Sequence, residues 1–436
     1  MAGIVVGPQR SDPEALARLA QRRLDPLEKA LPPGSAGVTA AEFLARRPHL
    51  SAFATPVLVL DASAIDANVE RMAAWCAERG VGLAPHGKTT MAPALWELQL
   101  AAGAWGITLA TPSQVRVALA FGLRRVMLAN TLVDPVGVAA VSRALDADPE
   151  LQVLSWVDSV SSVAAMDAVL AGLRPVRSLT VLVELGAPGG RTGARDLPAA
   201  RAVAAAVAAS PHLNLGGVAG YEGALAHDAS PAGLDAVRRY LRDLAALHAG
   251  LAGTYEVDDV VVTAGGSAYF DQVADELTKP WPDGLDVLPV LRSGAYLTHD
   301  DGFYREISPL GDHPRIDGVD SFRPALRAWA QVTSKPSDEL ALLTLGKRDA
   351  SFDEGMPEPQ LRRTPGGPAE PLEGHVVAKL NDQHAFLTLP PGSPVEVGDW
   401  IGLGLSHPCT VFDKWPLLPV TAADGETVVD YVRTWF

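Results

Sequence analysis

The chain has 436 residues, 48% of them hydrophobic, enough for a large buried core and more than one domain. Its 51 acidic and 36 basic residues give a formal charge of −15, which argues against a nucleic-acid partner because phosphate-backbone binding relies on clustered Lys and Arg; a small anionic ligand is not excluded. No apolar run is long enough to span a bilayer, Met1 to Arg23 lacks the basic-apolar-small order of a secretory signal, and the only cysteines are Cys76 and Cys409, so no disulfide framework is expected and a reducing cytoplasm is the natural setting.

The first 54 residues read as a helical extension. Leucines at helical spacing predict a helix from Pro13 to Ala30, broken by Pro32-Pro33-Gly34, and Thr39 caps a second, short helix reaching Arg46. From Pro56 short apolar runs alternate with Ala-rich helical stretches. The runs are Val57–Leu60, Val81–Ala84, Ile107–Ala110, Val126–Ala129, Val153–Val157, Leu179–Val183, Leu215–Ala219, Val260–Thr263 and Val287–Leu291. Such alternation predicts buried parallel strands in βα units, hence an α/β fold with a (β/α)8 barrel over residues 55–297. Nine runs exceed the eight strands of a barrel, so the first, Val57–Leu60, is assigned to the sheet of the next domain. After Thr298 the helical signal fades. Ala325–Thr333, Glu339–Leu345, Gly374–Leu380, Ala385–Leu389, Trp400–Leu405 and Thr427–Val432 predict a C-terminal β domain over 298–436, with Asp349 to Pro371 as a surface loop.

Four places could carry chemistry. Lys88, in Pro85-His86-Gly87-Lys88-Thr89, follows an early strand and so sits at the mouth where barrel active sites lie. A lysine shielded there can lose its proton and attack a carbonyl; an ordinary solvated loop lysine is the competing reading. Gly265-Gly266-Ser267 ends a late strand, where backbone N–H groups and a hydroxyl can converge on a phosphate; an ordinary tight turn is the competing reading. Tyr221 ends the strand before it, either at the mouth or as a core tyrosine. His407 and Cys409 are two apart, so in an extended chain they share a face and can offer a nitrogen and a sulfur to one ion, a pair suited to zinc. With no second ligand pair nearby, this is the pattern of a catalytic ion with open positions rather than of a structural one. Cys76, in mid-helix, reads as a small core residue.

With these residues in view, the chain resembles the D-serine dehydratase and D-threonine aldolase group of pyridoxal-phosphate enzymes, which have an alanine-racemase-like barrel and a β domain. The resemblance spans about Thr55 to Phe436. It rests on Pro85-His86-Gly87-Lys88-Thr89, on Glu184-Leu185-Gly186 leading into Arg191-Thr192-Gly193, and on Ser406-His407-Pro408-Cys409-Thr410 running to Phe412-Asp413-Lys414-Trp415. It implies that Lys88 is the cofactor lysine, that Arg191 faces the cofactor ring near its phenolic oxygen, and that His407 and Cys409 hold the metal, zinc or alternatively manganese. A cysteine in the second ligand position resembles the dehydratase branch; the aldolase branch has an aspartate. His384, in Asn381-Asp382-Gln383-His384, resembles a family histidine near the active site, with a surface turn as the competing reading; Tyr296 is a second candidate on the substrate side.

The resemblance further implies a homodimer whose β domains complete the sites, and dehydration of D-serine or D-threonine to a 2-oxo acid and ammonia. Three rivals remain open on the sequence: a D-threonine aldolase giving glycine and an aldehyde, a D-3-hydroxyaspartate dehydratase, and a non-catalytic carrier of pyridoxal phosphate.

Overall fold

The computed structural model describes residues 9–436 apart from 26, 258 and 282–286, so the first eight residues of the Met1–Arg23 stretch lie outside the described residues. The strands are β1 Val57–Asp61, β2 Gly82–Leu83, β3 Ile107–Leu109, β4 Arg125–Thr131, β5 Gln152–Val157, β6 Leu179–Leu185, β7 Leu213–Gly220, β8 Val260–Ala264 and β9 Val287–Leu291. They continue with β10 Leu326–Ser337, β11 Leu340–Leu343, β12 Glu358–Arg363, β13 Glu370–Pro371, β14 Val376–Leu380, β15 Ala385–Thr388, β16 Trp400–Gly404, β17 Leu417–Thr421 and β18 Val428–Arg433.

Eight of these, β2 to β9, form one parallel sheet in the order β2-β9-β8-β7-β6-β5-β4-β3. A bridge from His86 to Thr108 and the bond from Trp105 N to Leu83 O (2.7 Å) join its two edges and close the barrel. Inside, Ala84, Trp105, Met127, Leu154, Trp156, Leu182, Ala219, Val261 and Val290 pack as one cluster drawn from successive strands. Outside, helices cover the sheet. The helix Pro231–Gly250 buries Val237, Tyr240, Leu241, Leu244, Leu247 and His248, an i, i+3, i+4 stripe.

Local sequence starts these helices. Asp61, Thr111, Asp134, Ser159, Asp196 and Ser230 each accept from a backbone N–H in the first turn. Such a cap contributes about 0.5–2 kcal/mol. Pro112, Pro135 and Pro231 follow directly at the first helical position, where the missing N–H costs nothing.

The remaining ten strands form the second sheet, and β1 is an interior strand of it. It pairs antiparallel with β10 and parallel with β17. Leu58 and Leu60 of β1, Leu95 and Leu297 of the barrel, and Leu326, Leu403 and Trp415 of the β domain share one core.

Three expectations change. The first helix covers only Pro13–Ala20, because the chain beyond it turns to pair with the segment before the next helix, Arg23 bridging Thr39 and Leu24 N donating to Val38 O (2.9 Å). The stretch from Asp349 to Pro371 is not all surface loop: it contains β12, paired with β16. And β17 has no counterpart in the sequence reading, since Pro419 within the run weakens the strand pattern.

His248 and His299 are buried, and burial pushes both imidazoles down to about 4 from an ordinary value of 6.5. The unfolded chain therefore binds more protons between those values, so their stabilisation is complete above pH 6.5 and is lost as pH falls toward 4. The urea midpoint should drop across that window, and His248→Gln should flatten the drop relative to the parent. Parallel profiles for the two proteins would contradict this.

Candidate active site

The lysine turn follows directly from barrel closure. Lys88 lies in a short 3-10 turn, Gly87–Thr89, just past the His86–Thr108 bridge at the carboxyl end of the barrel. Trp96 Nε1 donates to Gly87 O (3.1 Å). A Cβ on Gly87 would meet Ile107 Cγ2 at 2.6 Å and Trp96 Nε1 at 2.7 Å, so only glycine fits. The turn is thus wedged between the barrel wall and the helix Pro93–Ala101.

Two further cations gather around it. Arg292 is 2% exposed; it donates to Thr263 Oγ1 (2.6 Å) and Gly220 O (2.6 Å), lies over the Trp156 ring, and keeps a buried Nε with no partner among the described residues. Arg191 is exposed and lies over the Tyr221 ring, 5.5 Å from its centroid. Burial, then the charges of Lys88, Arg292 and Arg191, hold His86 well below the usual imidazole value. Its Nδ1 is buried and unpartnered among the described residues. A neutral imidazole and an orphaned guanidinium N–H are therefore available at the mouth, and buried polar atoms left without partners in a protein call for a ligand or water.

The second half of the site comes from the β domain. The turn after β16 puts His407 in the left-handed region (φ 56°), a conformation that a non-glycine residue adopts only when its surroundings hold it. Asp300 does so, accepting from His407 N (2.9 Å) while its other oxygen caps the helix Phe303–Ile307 through Gly302 N and Tyr304 N. The imidazole is hydrogen-bonded to the Cys409 thiol and donates through Nδ1 to Asp353 Oδ2 (2.6 Å). Chiefly through the bond to Cys409, His407 is pushed up to about 9. Burial raises the Cys409 thiol, but the bond and charge of His407, the Thr89 hydroxyl and the charge of Lys88 outweigh it, and the net direction is down.

The two halves meet. Thr89 Oγ1 lies 3.3 Å from Cys409 Sγ, and Lys88 is close enough for its charge to favour the thiolate. Tyr304 belongs to the same neighbourhood: burial raises its hydroxyl, as do the nearby Cys409 and Tyr221.

Tyr221 is 36% exposed; Tyr240 fixes it by accepting from its amide (3.0 Å). The Gly-Gly turn behaves differently from the expectation. Gly265 N and Gly266 N both donate to the carboxylate of the fully buried Glu222 (2.9 and 2.7 Å), so these amides are not open to a phosphate. Ser267 Oγ accepts from Ala295 N (3.1 Å). Tyr296 is not brought to the mouth: it is 2% exposed, packs on Phe322 and accepts from Gln99 Nε2 (2.9 Å). His384 is exposed in the β14–β15 turn, where its carbonyl accepts from Asn381 N.

Arg292, Tyr304 and Asp353 were not singled out from the sequence. A lone charge directly after the apolar run of β9 was the one available signal for Arg292. Among the described residues no three His, Cys, Asp or Glu side chains gather as a metal cluster, and no helix is long and apolar enough to cross a membrane.

Known proteins match along most of the chain. Residues 325–421 fit the family model described as "Putative serine dehydratase domain". A D-threonine aldolase of Arthrobacter sp is 26% identical over 81% of this chain and 85% of its own length. A D-threo-3-hydroxyaspartate dehydratase of Delftia sp. is 25% identical over 87% and 96%. The fold is shared with the D-threonine aldolase of Filomicrobium marinum (TM-score 0.74, 23% identity, 89% of this chain and 96% of that one). It is shared also with an alanine-racemase-like protein of Idiomarina loihiensis (TM-score 0.68, 16%, 88% and 98%).

Gly87→Ala should lower stability by about 1–3 kcal/mol, the usual cost of overpacking, because both atoms it meets are held in the core. A melting temperature equal to the parent's would contradict the tight approach.

Proposed function

We propose that this chain, a homologue of the D-threonine aldolases and D-threo-3-hydroxyaspartate dehydratases with a serine dehydratase-like β domain, is a pyridoxal-phosphate- and metal-dependent dehydratase of 3-hydroxy D-amino acids. The observation that carries the proposal is the meeting of Lys88 with the His407–Cys409 pair in one chain.

The residues present fit both groups. Lys88 would hold the cofactor covalently, with Arg191, Arg292 and His86 against an anionic aromatic ring and Tyr221 beside it. Arg191 is placed to stabilise a phenolic oxygen without giving up its own proton. Gly265 and Gly266 shape the adjoining turn, and Ser267 keeps its hydroxyl proton for an anion. For the ion, an imidazole and a thiol whose proton the neighbouring charges make easier to lose offer a nitrogen–sulfur donor set that suits zinc, and two protein ligands leave positions for substrate oxygens. A solved variant of the D-threo-3-hydroxyaspartate dehydratase is described as being in the metal-free form, which supports metal use by that relative.

The cofactor supplies an electron sink for charge developing at Cα, and the metal a Lewis acid for the β-hydroxyl. This chain's own groups do the rest. The Lys88 amine, once released, takes the Cα proton. Arg191 and Arg292 bind and orient anionic groups. Burial and the same positive charges together keep His86 unprotonated. Net, D-serine gives pyruvate and ammonia, and D-threonine gives 2-oxobutyrate and ammonia. The proposal includes a homodimer, as the family resemblance implies.

One observation favours a second reading: the Arthrobacter relative is an aldolase. With D-threonine, a dehydratase yields 2-oxobutyrate and ammonia; an aldolase yields glycine and acetaldehyde. We expect the keto acid, and glycine as the major product would refute dehydration. Lys88→Ala should lose the visible absorbance of the lysine-bound cofactor; an unchanged spectrum would refute the lysine assignment. Chelation, or His407→Ala, should lower dehydration by about 10³-fold or more, the several kcal/mol of metal stabilisation, with the cofactor still bound. Full turnover without metal would refute the metal's role.

A further inference from the structure

This inference rests on the metal reading of His407 and Cys409 and extends it by one residue. An imidazole that must present one nitrogen to an ion needs its ring held against rotation. Backbone geometry alone does not do this for His407, whose main chain is already in a sparsely populated region. The ring is held instead by Asp353, through Nδ1 to Oδ2 at 2.6 Å. The other oxygen of the same carboxylate accepts from Thr410 Oγ1 at 2.7 Å. One carboxylate therefore grips the turn on both sides of Cys409.

Asp353 is itself held in place. Ser351 Oγ donates to Ser406 O, and Ser406 Oγ donates to Glu354 O (2.8 Å), lacing the two segments side by side. Their bases are joined as well. Trp415 Nε1 donates to Asp349 O (2.8 Å), and Lys29 of the N-terminal extension donates to Asp349 Oδ1 (2.7 Å) and to the carbonyls of Arg348 and Lys414. Lys29 also lies 4.1 Å from the Trp415 ring centroid. The extension thus clamps the two segments that meet at His407. Asp353 is not positioned as a third ligand, since no three candidate ligands gather among the described residues.

We propose that Asp353 is a positioning residue for the metal site. It fixes the His407 ring through Nδ1, leaves the remaining ring nitrogen for the ion, and through its charge makes the imidazole a stronger donor.

Zinc affinity of the cofactor-loaded protein, measured by competition with a chromophoric chelator, tests this in the parent, His407→Ala, Asp353→Ala and Asp353→Asn. Asp353→Ala should bind zinc about 10- to 100-fold more weakly, the usual effect of removing such a partner. Asp353→Asn, which keeps an acceptor but not the charge, should recover part of that loss. Asp413→Asn, an equal charge change on an exposed neighbour, should stay within twofold of the parent. Affinity within twofold for Asp353→Ala would overturn the inference, and so would equal losses in the alanine and asparagine variants. A parent that binds no zinc, or binds it as well without His407, would instead refute the metal reading beneath it.

Discussion

A hydroxyl and a thiol 320 positions apart hold this site together: Thr89 Oγ1 on the barrel and Cys409 Sγ on the β domain, 3.3 Å apart. The lysine turn and the His-x-Cys turn each have a separate local cause. One is wedged by Gly87 beneath Trp96; the other is bent into left-handed backbone and fastened by Asp300. Only their junction brings an amine, a thiol and an imidazole into one electrostatic unit, in which Lys88 and His407 together outweigh the cost of burying Cys409 as a thiolate.

The junction depends on how the two domains are fused. β1 precedes the barrel in the chain but does not join its sheet. Instead it is enclosed between β10 and β17, and Leu58 and Leu60 pack with Leu95 and Leu297 from the barrel side. The C-terminus adds a second tie: Trp435 N donates to Met91 O, two residues past Thr89, and its ring packs on Phe121. A core shared in this way resists relative motion, so the distance between the two turns is set by close packing and not by a hinge.

The sequence disclosed what is local. Buried parallel strands are continuous apolar runs, and helix starts carry Thr-Pro, Asp-Pro and Ser-Pro, so the barrel was legible. Lys88, His407 and Cys409 stand in compact motifs. What was missed is non-local. Asp353 lies in a stretch rich in proline, glycine and charge that reads as a loop, and its meaning comes only from His407 and Thr410 across 54 and 57 positions. Glycine pairs suggest an anion nest, yet nothing in the local pattern shows that Glu222 already fills this one. Tyr296 follows a barrel strand as a site residue would, but Gln99 and Phe322 draw it into the core.

The most direct measurement of the central claim is a crystal structure of the zinc- and cofactor-loaded protein, with anomalous scattering recorded at the zinc edge. The account predicts one zinc peak per chain on His407 and Cys409, beside a cofactor joined to Lys88 of that same chain. A zinc peak away from that pair, or a cofactor on any other lysine, would contradict it.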